Sequence, residues 1–191
     1  MTKYIYIFLL LQPFSVFAQD ELHWSEDYNL TVSDYEAQAP NNGNLQTVSG
    51  TFYVAYEMGG INLITTRNLN KNVSCYFQKD ASYIDKGDKA DTKLMLRYQQ
   101  LIFNLYEIQA RNLRRKFFDE RTRLLTKGPG VLHQEALAEH EKLLTKVENE
   151  TNDGHRSEVI TEWLIWTEGE LENLSDFCKT CKPRKKKDRD E

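Results

Sequence analysis

The sequence lacks the short motifs that mark the commonest enzyme sites. It contains no G-x-S-x-G, no P-loop and no G-x-G-x-x-G, so it indicates no serine elbow, phosphate loop or dinucleotide site. It also contains no His-x-x-x-His pair. His133 and His140 are seven residues apart, which on one helix separates them by about 10 Å along the axis. That distance is too large for one zinc ion with ligand bonds of about 2 Å.

A strong charge of one sign is also missing. The formal net charge is -4, and the loss of Lys3 with a signal peptide would make it more negative by one. A mildly acidic chain has no general attraction to nucleic acid, so we expect no nucleic-acid partner. Hydrophobic residues make up 40% of the chain and charged residues 28%, which is enough for a packed core in one ordinary domain.

The first 18 residues have the pattern of a secretory signal peptide. Lys3 precedes an apolar run from Tyr4 to Leu11, and the small residue Ala18 provides a cleavage position. The run is too short to span a membrane as a helix. The residue directly after Ala18 is not a cysteine, so it cannot carry a lipoprotein anchor. We therefore expect an exported chain, periplasmic or secreted, without a transmembrane segment. A protein or envelope partner is expected, but neither its identity nor the oligomeric state can be inferred.

Cysteine is scarce, and the count is odd. Three cysteines in an exported protein leave one thiol unpaired or form an intermolecular bridge. Cys178 and Cys181 form a C-x-x-C that ends a predicted helix, whereas a redox C-x-x-C opens a helix after a strand. A second pair, which a zinc site would need, is missing. We expect a structural disulfide, either Cys178–Cys181 or one of these with Cys75.

The first half of the chain after the signal peptide predicts strands. "GTFYVAYEM" at 50–58 alternates apolar and other residues, and "INLITT" at 61–66 and "VSCYF" at 73–77 are rich in β-branched and aromatic residues. "LTVSDYEAQAP" at 30–40 is expected to be a short strand leading into a turn or loop.

From Leu94 the apolar residues follow a helical period. One helix is expected from Leu94 to about Leu125, where "KGPG" ends it, and two more at 131–149 and 156–177. Antiparallel strands followed by three helices predict one α+β domain over 19–181. The charged segment 182–191 is expected to be a disordered tail.

The stretch "YQQLIFNLYEIQARNLR" at 98–114 resembles a helix of a known family. The family pattern is H-E-Q-x-H-F-D-I-x-E-I-x-A-R-x-L-R, in which eight positions agree with Gln100, Phe103, Glu107, Ile108, Ala110, Arg111, Leu113 and Arg114. The family comprises secreted bacterial zincin-like metallopeptidases (domain of unknown function family 922). The resemblance implies a zincin-like α+β fold.

Other segments resemble the same family in the same order. "LTVSDYEA" is similar to its L-x-W-x-D-F segment through Ser33, Asp34 and Tyr35, with "LHWSEDY" at 22–28 as a competing match. "ASYI" at 81–84 is similar to its S-W-hydrophobic segment. "VENETNDG" keeps Thr151 and Gly154 of Y-D-x-x-T-x-H-G, and "ITEWLIWTEGEL" is similar to its closing helix. The resemblance covers nearly all of the chain after the signal peptide.

The resemblance implies a zinc site whose ligands this chain has lost. In H-E-x-x-H, residues four apart on one helix face bring two imidazoles to one metal ion, and the Glu takes a proton from zinc-bound water. The matching positions are Tyr98, Gln99 and Ile102, and the third ligand position is Asp153. Isoleucine cannot bind a metal, glutamine is not a base, and tyrosine is a poor ligand at neutral pH.

We therefore expect an exported zincin-like module without a cofactor, a metal or peptidase activity, acting as a binding or scaffold protein in the cell envelope. Glu107 and Arg111 are expected to pair on the helix and support the degenerate site. One alternative is an active secreted hydrolase or metallopeptidase with a non-standard site around Glu107, Asp153 and His155. Another is an unrelated exported interaction domain, in which 98–114 and 151–155 would not be neighbours.

Overall fold

The computed structural model describes residues 21–40, 48–84 and 92–184. The predicted signal peptide lies outside these residues, and so do residues 185–191 of the predicted tail.

Short antiparallel strands form two small sheets. The strands are β1 (Glu21–His23), β2 (Val48–Ser49), β3 (Phe52–Tyr56), β4 (Val73–Gln78) and β5 (Tyr83–Ile84). One sheet has the order β1-β4-β3, and the other pairs β2 with β5. The register of the larger sheet places Phe52 opposite Phe77. Both rings are buried, so this face of the sheet packs onto the helical part of the fold.

The helices lie mainly in the second half of the chain. They are α1 (Gly60–Thr65), α2 (Thr92–Asp119), α3 (Arg121–Lys127), α4 (Pro129–Thr151) and α5 (Ser157–Asn173). A 3-10 turn at Ser175–Phe177 follows α5. The predicted α+β class is confirmed.

Helix α2 is the centre of the fold. Its 28 residues contain no glycine or proline, and its buried residues face nearly all directions, as expected for a helix surrounded by other elements. Phe103 lies against Phe52 of the sheet, with ring centroids 5.4 Å apart. The ring centroids of Tyr106 and of His140 in α4 are 4.5 Å apart. Toward α5, Asn104 Nδ2 donates to Thr167 Oγ1 at 3.3 Å.

Helices α2 and α4 run antiparallel. Lys116 near the end of α2 pairs with Glu139 in the first half of α4, with Nζ and Oε1 3.0 Å apart. At the other end, Gly154 just beyond α4 packs on Tyr98 near the start of α2. This orientation brings the loop after α4 to the segment that resembles the metal-binding helix.

The strand predicted for "INLITT" is wrong, because residues 60–65 form α1. Leu63 N donates to Gly59 O at 3.1 Å, and Thr65 Oγ1 donates to Ile61 O at 3.0 Å. Leu63 packs against the core. The β-branched composition favoured a strand, but none of the described strands pairs with this segment, so local helical bonds satisfy its backbone.

The short strand predicted within 30–40 is also wrong. Val32–Asp34 is a 3-10 turn. The Asp34 carboxylate accepts hydrogen bonds from both Thr31 N and Thr31 Oγ1, each at 2.8 Å. Such a local side-chain bond competes with extended backbone.

The prediction of three helices after the strands is wrong in number, because four follow β5 in the described residues. The helix expected to reach Leu125 stops at Asp119, where Glu120 has φ −104° and ψ 38°, and α3 begins at Arg121. Leu124 of α3 is completely buried. Helix α4 is longer than predicted and begins with Pro129, a residue favoured in the first helical turn. Helix α5 ends earlier than predicted, at Asn173.

Within the described residues, no helix combines the length and the apolar character needed to cross a membrane.

Candidate functional site

Tyr98 occupies the first ligand position of the degenerate motif and fills it with an aromatic ring. A Cβ atom added at Gly154 would lie 2.6 Å from Cγ and Cδ1 of Tyr98, so the glycine permits this close packing. Burial is the main cause that raises the pKa of Tyr98 to about 12. The phenol therefore stays protonated at neutral pH, and a protonated phenol is a poor metal ligand.

Gln99, which the resemblance aligns with the Glu of H-E-x-x-H, is buried. Any side chain at Gly50 would collide with Gln99 Oε1 and with the ring of Phe52. Gln99 Oε1 has no hydrogen-bond partner within the described part of the chain. The amide thus lies beneath the β2–β3 connection, and it does not titrate.

Ile102 occupies the second His position and is only 8% exposed. It belongs to the continuous apolar core. Ile102 and Tyr98 thus place packed hydrocarbon and aromatic groups where the resemblance expects two metal ligands. The part of the site that would hold a metal ion in the resembled family is therefore filled.

The loop at 151–155 lies beside these positions. Thr151 is buried, and its Oγ1 donates to Val147 O at 2.7 Å. Asn152 and Asp153 both have φ of 51°, and Gly154 has φ of 86°, so the chain turns through three residues in the left-handed region. This loop and 98–114 are neighbours, because Gly154 packs on Tyr98, so the separation expected for an unrelated interaction domain is wrong.

Asp153, at the third ligand position, is exposed on this loop, and so is His155. His155 Nδ1 lies 2.8 Å from Asn152 O. Glu107, the third member of the alternative hydrolase site, is nine residues beyond Tyr98 on α2, or about 14 Å along the helix axis. It is buried between two arginines. The structure therefore does not bring these three residues together.

Glu107 is the centre of a buried ionic cluster. Its Oε1 lies 3.1 Å from Arg111 Nε and 2.8 Å from Arg114 Nη1. The Arg114 guanidinium also donates to Val73 O at 2.9 Å and to Phe177 O at 3.0 Å. These residues match the family pattern, and in this chain they tie α2 to β4 and to the C-terminal turn.

A groove of about 1020 Å³ lies on another side of α2, between residues 24–30 and α5. Asn104 forms part of its floor, where its Oδ1 accepts hydrogen bonds from Trp24 Nε1 at 3.0 Å and from Gln100 Nε2 at 3.1 Å. The Arg111 guanidinium lies 5.2 Å from the Trp24 ring centroid. Charged residues of both signs line the groove: Glu26, Lys93, Arg97, Glu168 and Glu172.

Sequence reasoning did not find this groove. Trp24 and Asn104 are 80 residues apart, and no local pattern predicts their contact. The available signals were weak: Trp24 lies in the competing match at 22–28, and Gln100 is one of the matched helix positions. Asn104 stands where the family pattern has Asp.

The cysteines and the buried His140 contribute no side chain to either region. Cys178 and Cys181 form a disulfide, whereas Cys75 is a buried free thiol whose pKa is raised by burial. His140 is buried, and both of its ring nitrogens lack hydrogen-bond partners in the described structure. The described residues contain no group of three or more His, Cys, Asp or Glu arranged to hold a metal ion.

Comparisons with models of protein families, with curated proteins and with solved structures find no match to this chain.

Proposed function

We propose that this protein is an exported zincin-like module that has lost zinc binding and peptidase activity and acts as a binding or scaffold protein in the cell envelope. The observation that carries the proposal is the packing at the two lost His positions. Tyr98 lies against Gly154, and Ile102 is part of the core. A metal ion there would need both side chains to leave, and neither offers an ionised ligand.

The position of the general base supports the same proposal. Peptide hydrolysis by a zincin needs a carboxylate that accepts a proton from the bound water. Gln99 is close in shape to Glu but has no titratable group, and it is buried beneath Gly50. Of the four positions that the resemblance assigns, Tyr98 and Ile102 therefore supply no good metal ligand, and Gln99 supplies no general base.

The retained residues support a scaffold. Burial of Glu107, Arg111 and Arg114 costs free energy unless each charge is compensated inside the protein. All three are compensated here by one another and by backbone carbonyls. The residues that agree with the family pattern thus hold the fold together, while those that would perform its chemistry have been replaced.

The groove between α2 and α5 is the binding surface that we propose. Its volume lies at the upper end of the range of ligand pockets, about 300–1,000 Å³. Trp24 and Leu164 offer apolar contacts, and Arg97 and Glu168 offer charges of opposite sign. This combination suits an elongated ligand that carries apolar and charged groups, such as a peptide segment.

Metal content and a cleavage assay test the loss of zinc binding and of peptidase activity. The exported protein, with its N-terminus identified by mass spectrometry, is dialysed against trace zinc and measured by elemental mass spectrometry and on an unfolded protein substrate. We expect well under one zinc per chain and no cleavage. One zinc per chain together with cleavage would overturn the proposal, and Asp153→Asn and His155→Ala would then identify the ligands.

Site-specific cross-linking in intact cells tests the groove. A photoreactive residue in place of Glu168 lies in the groove, whereas one in place of Glu162, exposed on the same helix, is the matched control. We expect a discrete cross-linked product from position 168 and none of the same mass from position 162. Identical products from both positions, or none from either, would remove the groove as the binding surface.

A further inference from the structure

Helix α1 presents two isoleucines to solvent. Ile61 is 77% exposed and Ile64 is 75% exposed, and residues three apart lie on the same face of a helix. A Cβ atom added at Gly59 or Gly60 would meet no atom within 4 Å, so the start of the helix projects from the fold. Exposed apolar residues are ordinary when single, but two adjacent ones on a projecting helix indicate a contact surface.

Positive charge lies beside these isoleucines. Arg67 is exposed, and its Cα lies at most about 11 Å from that of Ile64, because only three peptide units separate them. The Arg67 guanidinium lies 5.6 Å from the Phe118 ring centroid. Arg121 donates through Nη2 to Leu63 O, which fixes a second guanidinium against α1. Two arginines therefore lie close to α1.

The described part of the C-terminal segment lies close to the residues that follow α1. Asn68, the neighbour of Arg67, donates through Nδ2 to Cys181 O at 2.9 Å. Lys182 follows directly and is exposed. The sequence then continues with Arg184 and three lysines, 185–187, before the acidic residues at its end. In the structure Arg184 pairs with Asp176 at 2.9 Å, which leaves Lys182 as the exposed cation of this segment that no described ion pair includes.

Two isoleucines are too small a patch for a stable protein interface, which buries about 800 Å² on each partner. They match what a peripheral protein inserts into a bilayer surface, where apolar burial and attraction to anionic lipid act together. We propose that α1 docks on an anionic membrane surface. Ile61 and Ile64 enter the boundary between headgroups and acyl chains, and Arg67 and Lys182 face the lipid phosphates. This inference does not depend on the groove or on the loss of zinc.

Vesicle sedimentation tests the proposal with the exported protein. The vesicles are phosphatidylcholine alone or phosphatidylcholine with phosphatidylglycerol. We expect partition into the anionic vesicles only, and weaker partition in about 0.5 M salt, because salt screens exposed charges. Ile61→Ser with Ile64→Ser should lower the partition coefficient at least about tenfold. Arg67→Glu should lower it as well.

Matched controls keep the test specific. Trp166→Ser removes an exposed apolar side chain from α5, and Lys142→Glu reverses an exposed charge on α4. Both should bind within about twofold of the parent protein. Equal partition into both kinds of vesicle, binding to neither, or equal losses in the control variants would overturn the proposal. Concentration-dependent dimerisation that is lost in the isoleucine variant would assign α1 to a second copy of the chain instead.

Discussion

Glu107 Oε1 and Arg114 Nη1 lie 2.8 Å apart inside the core. The two residues are 3% and 1% exposed, and Arg111 approaches the same carboxylate oxygen. One carboxylate therefore faces two guanidinium groups where water cannot replace it. Removing one partner of a buried ion pair leaves an uncompensated charge, which costs far more than the loss of a surface pair.

Glu107→Ala should lower the free energy of unfolding by about 3–5 kcal/mol, because Arg111 and Arg114 lose their shared partner. Glu139→Ala is the matched control, since Glu139 is exposed and its pair with the partly buried Lys116 should contribute no more than about 1 kcal/mol. Urea denaturation of both variants measures the difference. Equal losses in the two variants would show that the buried cluster contributes no more than a surface pair.

Gly154→Ala should lower the free energy of unfolding by about 1–3 kcal/mol, because the residue has φ of 86° and its Cβ would collide with the Tyr98 ring. In a Tyr98→Ala background the penalty should shrink, since only the backbone strain remains. A double-mutant cycle measures this coupling. Gly169→Ala, in open space within α5, should instead stabilise the protein by up to about 1 kcal/mol. Additive effects of the Tyr98 and Gly154 changes would contradict the packing described.

His140 should make stability depend on pH below neutrality. Burial lowers its pKa from 6.5 to about 4, so the unfolded chain binds this proton more tightly than the folded protein. The neutral ring favours folding fully above pH 6.5, and that contribution is lost as the pH falls from 6.5 to about 4. As the pH falls across this interval, the free energy of unfolding of His140→Leu should decrease by up to about 3 kcal/mol less than that of the parent protein. Urea titrations at several pH values test this, with His155→Gln as the exposed control.

The Cys178–Cys181 disulfide closes a loop of only four residues. The chain-entropy relation gives about 2 kcal/mol for so short a loop. Reductant should therefore lower the free energy of unfolding of the parent by about that amount, and it should not affect Cys178→Ser with Cys181→Ser. Urea denaturation with and without reductant measures the contribution of the disulfide to stability. Sensitivity of the double variant to reductant would assign the effect to something other than this disulfide.

The sequence predicted those features that depend on neighbouring residues. Helix α2 was expected because a long stretch without glycine or proline shows a helical period, and the pairing of Glu107 with Arg111 follows from a spacing of four. The same local reasoning failed for α1, since isoleucine and threonine favour strands and a helix of six residues is too short to show a period. It also missed the break at Glu120, where no glycine or proline marks the change.

Features that depend on distant residues were not predictable. The acceptors of Arg114 lie on Val73 and Phe177, and the groove depends on the contact of Trp24 with Asn104. That Tyr98 and Ile102 stand at former ligand positions was predicted from the resemblance and stays a prediction. That Gly154 packs on Tyr98 follows only from the antiparallel course of α2 and α4.

The buried side chain of Asn70 binds the backbone of residues 176–181. Its buried Nδ2 donates to Asp176 O and Cys178 O, both at 3.1 Å, and to Cys181 O at 3.2 Å. These acceptors follow Asn70 by 106 to 111 residues in the sequence, so its amide cannot form these bonds until residues 176–181 have been synthesised. The part of the fold that surrounds Asn70 is therefore completed only when both segments are present.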